Sequence, residues 1–214
     1  MTSPYLAPGF YDTALAKGRH RDIVGGRWDE TRRIQMQILA AEGMAPQHRL
    51  LDIGAGSMRL GCKAVPYLHP GHYWATDASL ALMQRGREVE LPDPARLPLD
   101  HLIEDATFTF PGIPRVDFAI AFGVFTHLPR FHLALALTNL RAAQPRLTAF
   151  LFTVFVAPDP TQSHRQPDGV VTHPNRPPYH LSALDVTRMA QVAGWSVTRR
   201  EVKLPRGQAL FVGK

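Results

Sequence analysis

Apolar and polar positions along the chain keep changing their period. Residues 31–42 carry Ile34, Ile38, Leu39 and Ala41 at three- and four-residue spacing, the stripe of an amphipathic helix that Gly43 ends. The run 50–53 is short and apolar and holds one acid, as a buried strand does, and glycines stop it abruptly. From about Met58 to about Leu68 the residues suit a helix, with Pro66 near its end, and His69-Pro70-Gly71-His72 is a turn. A second strand over 73–77 ends in Asp77, and Ser79 is placed to cap a helix from 80 to about 90. Pro92, Pro94 and Pro98 make a loop, and a short third strand is expected within 101–110, with Glu104 and Asp105 at its end. The pattern then predicts a strand over 116–122, a helix over 129–143 and a central strand over 147–156, the longest apolar run. Residues 158–178 are rich in proline and histidine and show no period, so one long loop is expected there. Ser182 with Asp185 three residues on resembles a capping box and opens a helix ending at Gly194. Two strands, 195–202 and 208–212, close the chain as a hairpin about Pro205-Arg206-Gly207. Strand and helix alternate up to that hairpin. This predicts an α/β fold with a mostly parallel sheet, helices on both faces and the last strand antiparallel.

The stretch Leu50-Leu51-Asp52-Ile53-Gly54-Ala55-Gly56-Ser57-Met58-Arg59 is the one with chemistry written into its spacing. Gly54 and Gly56 let the backbone turn sharply and approach a ligand where a Cβ would collide. A strand, a glycine turn and a helix start make a nucleotide-binding unit of an open sheet. A dinucleotide fold would want a third glycine where Arg59 stands. A phosphate-cradling loop would need a Gly-Lys-Ser/Thr ending, which is missing. Asp52, just before the turn, suits a ligand whose nearby groups are donors or positively charged. Ligands of such sheets lie across the carboxyl ends of the strands, and Asp77 stands about twenty residues beyond the turn, where an acid accepts from ribose hydroxyls.

Composition narrows the picture further. A chain of 214 residues, 45% hydrophobic, is long enough for one substantial core. Residues 1–45 read as a lid segment and helix, with 46–214 as the binding domain of a single-domain protein. Tyr5, Phe10, Tyr11 and Trp28 give that lid aromatic surface to pack. Cys62 is the one cysteine, which excludes an internal disulfide and any cysteine-rich zinc site. No apolar run is long enough to cross a bilayer and no signal-peptide core is found, so a cytoplasmic protein without membrane contact is expected. The net charge of +6 would suit nucleic acid, but only Lys17, Lys63, Lys203 and Lys214 are lysines and the arginines are scattered without interleaved aromatics. A nucleic-acid partner is not expected from that pattern.

The acid-x-Gly-x-Gly turn resembles the first motif of the class I S-adenosylmethionine-dependent methyltransferases. Later segments agree in order. Asp117-Phe118 opens the fourth strand and Thr126-His127-Leu128 ends its loop; Tyr179-His180-Leu181-Ser182 leads into a helix closing on Ala193-Gly194-Trp195. Gly25-Gly26-x-Trp28-Asp29 is similar to the N-terminal segment of a bacterial branch of the superfamily. The resemblance implies a Rossmann-like fold, S-adenosyl-L-methionine as cofactor, and methyl transfer to a small-molecule acceptor. It places the cofactor against Asp52, Gly54, Ala55 and Gly56, Asp77 at the ribose, Ala78 and Leu82 as an apolar wall, and Asp105 with the Ala106 N–H at the adenine. Glu104 competes with Asp105 for that place. Phe122 and Gly123 follow the fourth strand at the same edge.

The acceptor side is less determined. His127 and His180 are the candidate bases, His164 and His173 lie in the long loop, and Asn175 and Tyr179 are candidates to orient a substrate. No metal site is expected, since these histidines have no carboxylates at ligand spacing. Arg21, with Arg19, Arg27 and Arg59 as alternatives, is a candidate for the methionyl carboxylate, and Trp28 and Tyr11 for covering the sulfonium. Two other readings stay open: a cofactor-binding module without turnover, and a nucleic-acid or protein methyltransferase, which lacks the Asn/Asp-Pro-Pro-Tyr/Phe signature where Phe122-Gly123-Val124-Phe125 stands.

Overall fold

The computed structural model describes residues 9–214, so Tyr5 lies outside the described residues. The chain forms two compact units, one from the described residues up to 106 with 110–120, the other from 107–109 with 121–214.

The first unit carries α1 (Asp12–Ala16), α2 (Trp28–Ala41), β1 (Leu50–Ile53), α3 (Gly61–Tyr67), β2 (Tyr73–Asp77), α4 (Leu80–Glu90), β3 (Leu102–Glu104) and β4 (Phe118–Ala121). Its strands are all parallel, in the order β3-β2-β1-β4, so the winding reverses between β1 and β4. Register puts Asp52 beside Ala75 of β2 and Ile120 of β4, and Asp77 beside Glu104. Every residue of β1 is buried, as a parallel strand covered on both faces must be. The Ser79 hydroxyl accepts from Leu82 N at 3.2 Å and starts α4 as expected.

Two helix starts differ from the pattern. α2 begins at Trp28, directly after Arg27 in the left-handed region (φ 47°), rather than at 31. α3 begins at Gly61 rather than near Met58, because Met58 itself takes φ 62° and holds residues 57–60 in a turn. The close helix approach that a third glycine would give at position 59 is supplied from another element. A Cβ on Gly86 of α4 would lie 2.4 Å from the Ser57 carbonyl carbon and 2.5 Å from its oxygen.

The second unit carries α5 (Arg130–Ala143), β5 (Ala149–Val156), β6 (His164–Arg165), β7 (Val171–Thr172), β8 (His180–Leu181), α6 (Ala183–Val192), β9 (Val197–Arg200) and β10 (Ala209–Gly213). β10 runs antiparallel to both β5 and β9, with Phe211 opposite Phe152, while β8 is parallel to β5. Trp195 is fully buried, gives its indole N–H to Leu137 O at 2.9 Å, and lies under the Arg141 guanidinium. Ser182 caps α6 through Asp185 N at 3.0 Å and gives its hydroxyl to the Asp185 carboxylate at 2.8 Å. The expected structureless loop over 158–178 is corrected: β6 and β7 pair inside it as an antiparallel hairpin. The hairpin is held by polar bonds rather than an apolar stripe, which is why no period announced it. Its buried Thr172 gives a hydroxyl to His164 O and takes an amide N–H from Gln166, both at 3.1 Å.

The Gly86 contact yields an expectation opposite to helix propensity. Glycine to alanine inside a helix ordinarily stabilises by about 1 kcal/mol. Here Gly86→Ala drives a methyl into the Ser57 backbone and is expected to destabilise by about 1–3 kcal/mol. Urea unfolding monitored by circular dichroism measures it, and a midpoint equal to or above the parent's contradicts the close approach.

Candidate functional site

The carboxyl edge of the first unit's sheet gathers the turn and the acids. Gly54 (φ 70°) and Gly56 (φ 55°) bend the chain away from β1, and the N–H groups of Gly54 and Ala55 both donate to Thr76 O, at 2.8 and 3.1 Å. The turn is thereby pinned to the last residues of β2. Asp77 completes the link: its Oδ2 accepts from Gly56 N at 2.9 Å and its Oδ1 from Ser79 N at 3.0 Å. Asp105 N donates to Asp77 O at 2.8 Å, and the Asp105 carboxylate accepts from Phe110 N at 2.7 Å. Asp52, Asp77 and Asp105 are all buried. Glu104 and Ala106 are exposed, so of the two acids competing for the adenine place only Asp105 is drawn into the edge. Leu82 is fully buried, with Ala78 half-buried before it.

Burial governs the protonation of Asp77 and Asp52. Desolvation pushes the Asp77 carboxyl up to about 6, against the opposing backbone bonds from Gly56, Ser79 and Ala78. Asp52 is pushed up to about 7, again by burial first. Its hydrogen bond from Tyr73 (2.5 Å) and the Arg59 charge pull it down, while Asp77 raises it. The Tyr73 phenol is raised in turn by burial and by Asp52.

The N-terminal segment closes on this turn. A Cβ on Gly56 would meet Val24 Cγ1 at 2.8 Å, so Val24 sits where only a glycine backbone leaves room. Arg59 donates to the carbonyls of Val24 (2.9 Å) and Gly26 (3.3 Å) and so ties the segment to the turn. Arg21 does not stand ready for a ligand carboxylate. Its guanidinium is forked on Glu90, with two contacts of 2.6 Å, and lies 4.9 Å from the Trp28 ring centroid. His20 Nε2 reaches the same carboxylate at 2.8 Å. Burial pushes Glu90 up, but the bonds from Arg21 and His20 outweigh it and its pKa is lowered. Arg19 and Arg27 pair locally with Asp22 and Glu30. Tyr11 stacks edge-on with Phe10. Glu90 is the residue that the pattern missed, since a helix-end glutamate offers no signal of a partner seventy positions away.

The set of acceptors fits a nucleoside with a cationic or donor-rich substituent. Three buried acids line one edge, and the cradle over Gly56 is too narrow for any side chain at that position. The buried polar atoms without a hydrogen-bond partner among the described residues include Ser57 Oγ in the turn and Trp28 Nε1 at the start of α2.

The acceptor-side candidates belong to the second unit. The Gly123 N–H donates to Thr153 Oγ1 at 2.8 Å, and Phe122 beside it is buried. His127 is half-buried, and burial together with the Arg206 charge lowers its pKa to about 4. His180 is buried with Nδ1 on the Thr172 hydroxyl at 2.8 Å, and burial lowers its pKa too. The buried Tyr179 gives its N–H to Thr126 O at 2.7 Å. His173 Nδ1 meets Ser163 Oγ at 2.8 Å; His164 lies in β6, and Asn175 is exposed. Among the described residues no three His, Cys, Asp or Glu side chains are grouped to hold a metal ion, and no helix is long and apolar enough to cross a membrane.

The raised acids set a pH dependence whose sign is fixed. An unfolded aspartate titrates near 4, whereas folded Asp77 and Asp52 titrate near 6 and 7, so folding takes up protons between these values. Stability from these groups is full below about pH 4 and is lost as pH rises through 6 and 7. Asp52→Asn keeps an acceptor for Tyr73 and removes one titration. The difference in Tm between pH 5 and pH 8 is expected to shrink in this variant, measured by calorimetry of the ligand-free protein. An unchanged difference would show that Asp52 is ionised throughout.

No protein-family model and no curated protein matches the sequence. Solved structures do match by fold. Magnesium protoporphyrin IX methyltransferase from Synechocystis PCC 6803, with bound S-adenosylhomocysteine, is 14% identical, with 95% of each chain covered and a TM-score of 0.62. A TehB-like S-adenosylmethionine-dependent methyltransferase from Corynebacterium glutamicum is also 14% identical, over 97% of this chain and 99% of that one, with a TM-score of 0.62. The glycopeptide N-methyltransferase MtfA complexed with sinefungin is 14% identical over 86% and 93%, with a TM-score of 0.60. The chain therefore has the Rossmann-like fold of the class I methyltransferases.

Proposed function

We propose that this chain is an S-adenosylmethionine-dependent methyltransferase acting on a small-molecule acceptor. The observation that carries the reading is the edge just described. A glycine turn stands at the point where the winding reverses, with one buried acid from β1, one at the end of β2 and one directly after β3. The fold neighbours bear names or ligands of that chemistry. When bound, the cofactor supplies an activated sulfonium methyl.

The chain's own residues hold and align. Asp77 accepts from ribose hydroxyls, and Asp105 with the Ala106 N–H reads the adenine edge. Ala78 and Leu82 give the base an apolar wall. Asp52, already bonded to Tyr73, faces the amino-acid end of the cofactor as an acceptor. Residues 18–28 act as the lid, held down by Glu90 and Arg59, and exclude water when closed. His127 is the proposed proton acceptor. Burial keeps its imidazole neutral at pH 7, and the same shift makes it a weak base that suits only an acceptor whose proton is already acidic. His180, fixed by Thr172, is the second candidate. Positioning of this kind accounts for roughly 7–11 kcal/mol in the best intramolecular models.

A small acceptor is favoured over nucleic acid by how the arginines are spent. Arg19, Arg27, Arg32, Arg85, Arg130 and Arg199 each pair with an acid, so these arginines do not present an unopposed charge to a phosphate.

Isothermal titration with S-adenosylmethionine and S-adenosylhomocysteine tests the reading. Micromolar binding is expected, and absence of heat at millimolar ligand would overturn it. Asp77→Ala removes hydrogen bonds to a charged acceptor, worth roughly 1.5–3 kcal/mol each, and is expected to weaken binding at least tenfold. An unchanged affinity would remove the ribose assignment.

A further inference from the structure

The N-terminal segment fills a space that the proposed cofactor site needs. Gly56 lacks a Cβ, and the direction this opens is the one from which a ligand comes closest to the turn. In the ligand-free chain that direction is taken. A Cβ on Gly56 would lie 2.8 Å from Val24 Cγ1 and 3.6 Å from Val24 Cβ, so the valine side chain rests on the bare Cα. The same glycine gives its N–H to Asp77, the acid assigned to the ribose. A nucleoside drawn to Asp77 would have to share the face of Gly56 that Val24 now covers.

The segment that carries Val24 is fastened at both ends. At its start, His20 Nε2 meets the Glu90 carboxylate at 2.8 Å, and the Arg21 guanidinium forks on it with two contacts of 2.6 Å. Ionised Glu90 only accepts, so His20 donates from Nε2. Gly86 and Glu90 lie four residues apart on one face of α4, so the helix that Gly86 lets lie against Ser57 also presents Glu90 to the segment. At its end, Arg59 of the turn itself holds the Val24 and Gly26 carbonyls, at 2.9 and 3.3 Å. Gly25 (φ 97°) and Gly26 (φ 66°) then turn the chain into α2, and a Cβ on either would meet nothing within 4 Å. Both are glycines for their backbone alone, as at a hinge. Asp22 N–H to Arg19 O (3.1 Å) and Gly25 N–H to Asp22 O (3.2 Å) lie within the segment and would move with it. Closure also has a cost. His20 Nδ1 and Trp28 Nε1 are buried without a partner among the described residues, and lifting the segment would return them to water.

We propose that residues 19–26 form an autoinhibitory strap, in which Val24 occupies the cofactor's closest approach to the glycine turn and Glu90 is the latch. This rests on the methyltransferase reading above. It adds that the lid lies shut on the empty turn as well, and must lift before S-adenosylmethionine seats. The apparent affinity is then the intrinsic affinity reduced by the fraction of chains with the strap lifted.

The test is calorimetric titration of S-adenosylhomocysteine into the full chain, Val24→Ala, Glu90→Gln and the double variant. Val24→Ala withdraws the methyls that rest on Gly56 and leaves the latch in place. Glu90→Gln keeps the shape of the latch and removes its charge. Each is expected to tighten binding by about threefold or more, since each raises the open fraction. The double variant is expected to fall short of the product of the two gains, because both relieve one closure. A residue that merely supported the fold would weaken binding or leave it unchanged when replaced. Amide hydrogen exchange without ligand is expected to quicken over 19–28 in Glu90→Gln and to stay at the parent's rate in β1 and β2. Equal or weaker binding in both single variants overturns the proposal, and unchanged exchange over 19–28 in Glu90→Gln overturns the latch. A single variant that binds as the parent does removes its residue from the strap. Should none of the four proteins bind at millimolar ligand, the transferase reading itself fails, and the inhibitory role fails with it whatever the exchange shows.

Discussion

The bond from Gly56 N–H to the Asp77 carboxylate is the constraint on which the first unit's site depends. It joins the turn after β1 to the end of β2, and it does so with an acid that burial has stripped of water. A desolvated carboxylate costs several kcal/mol unless donors replace the lost hydration. Gly56, Ala78 and Ser79 supply those donors, yet desolvation still leads, and Asp77 stays near 6. The carboxylate keeps capacity for a further donor. A hydroxyl arriving there favours the ionised form, so ligand binding and proton release at Asp77 are linked.

The segment before α2 depends on the same turn in a different way. Val24 occupies the space that the missing Cβ of Gly56 leaves open, so segment and glycine are complementary in shape. What holds the segment is charge. The Glu90 carboxylate, almost fully buried, takes Arg21 and His20, and Arg59 takes two carbonyls of the segment. Arg21 is half exposed, so solvent screens its side of the pair, whereas buried Glu90 depends on both partners for the hydration it has lost.

Much of this was legible in the order of residues. β2 falls where the alternation placed it, the Ser79 and Ser182 caps form, and the final hairpin turns at Pro205–Gly207. These features are local, and local chemistry is what a sequence displays. The differences arise where distant residues decide. Met58 takes a left-handed conformation that no propensity favours, because the turn is pinned to Thr76 and Asp77 twenty residues away. Gly86 looks like a weak point in a helix until Ser57 is found against it. The β6–β7 hairpin is stabilised by Gln166 and Thr172 side chains bonding to backbone, a pattern without hydrophobic period. Arg21 reads equally well as a ligand's partner or as Glu90's, and only the fold chooses.

The chemistry of the edge also argues for the kind of ligand it takes. Phosphate-binding turns present free N–H groups and positive helix ends, but here the N–H groups of Gly54, Ala55 and Gly56 are already given to Thr76 and Asp77. Arg59, whose charge pulls the Asp52 pKa down, donates to the carbonyls of Val24 and Gly26. A phosphate brought to this edge would meet buried acids, with the N–H groups of the glycine turn already engaged. A ligand that brings hydroxyls, an amine and a positive centre finds the reverse: acceptors already desolvated, two of them poised between protonated and ionised near neutral pH. The same burial that makes these acids costly to ionise strengthens their bonds to an arriving donor.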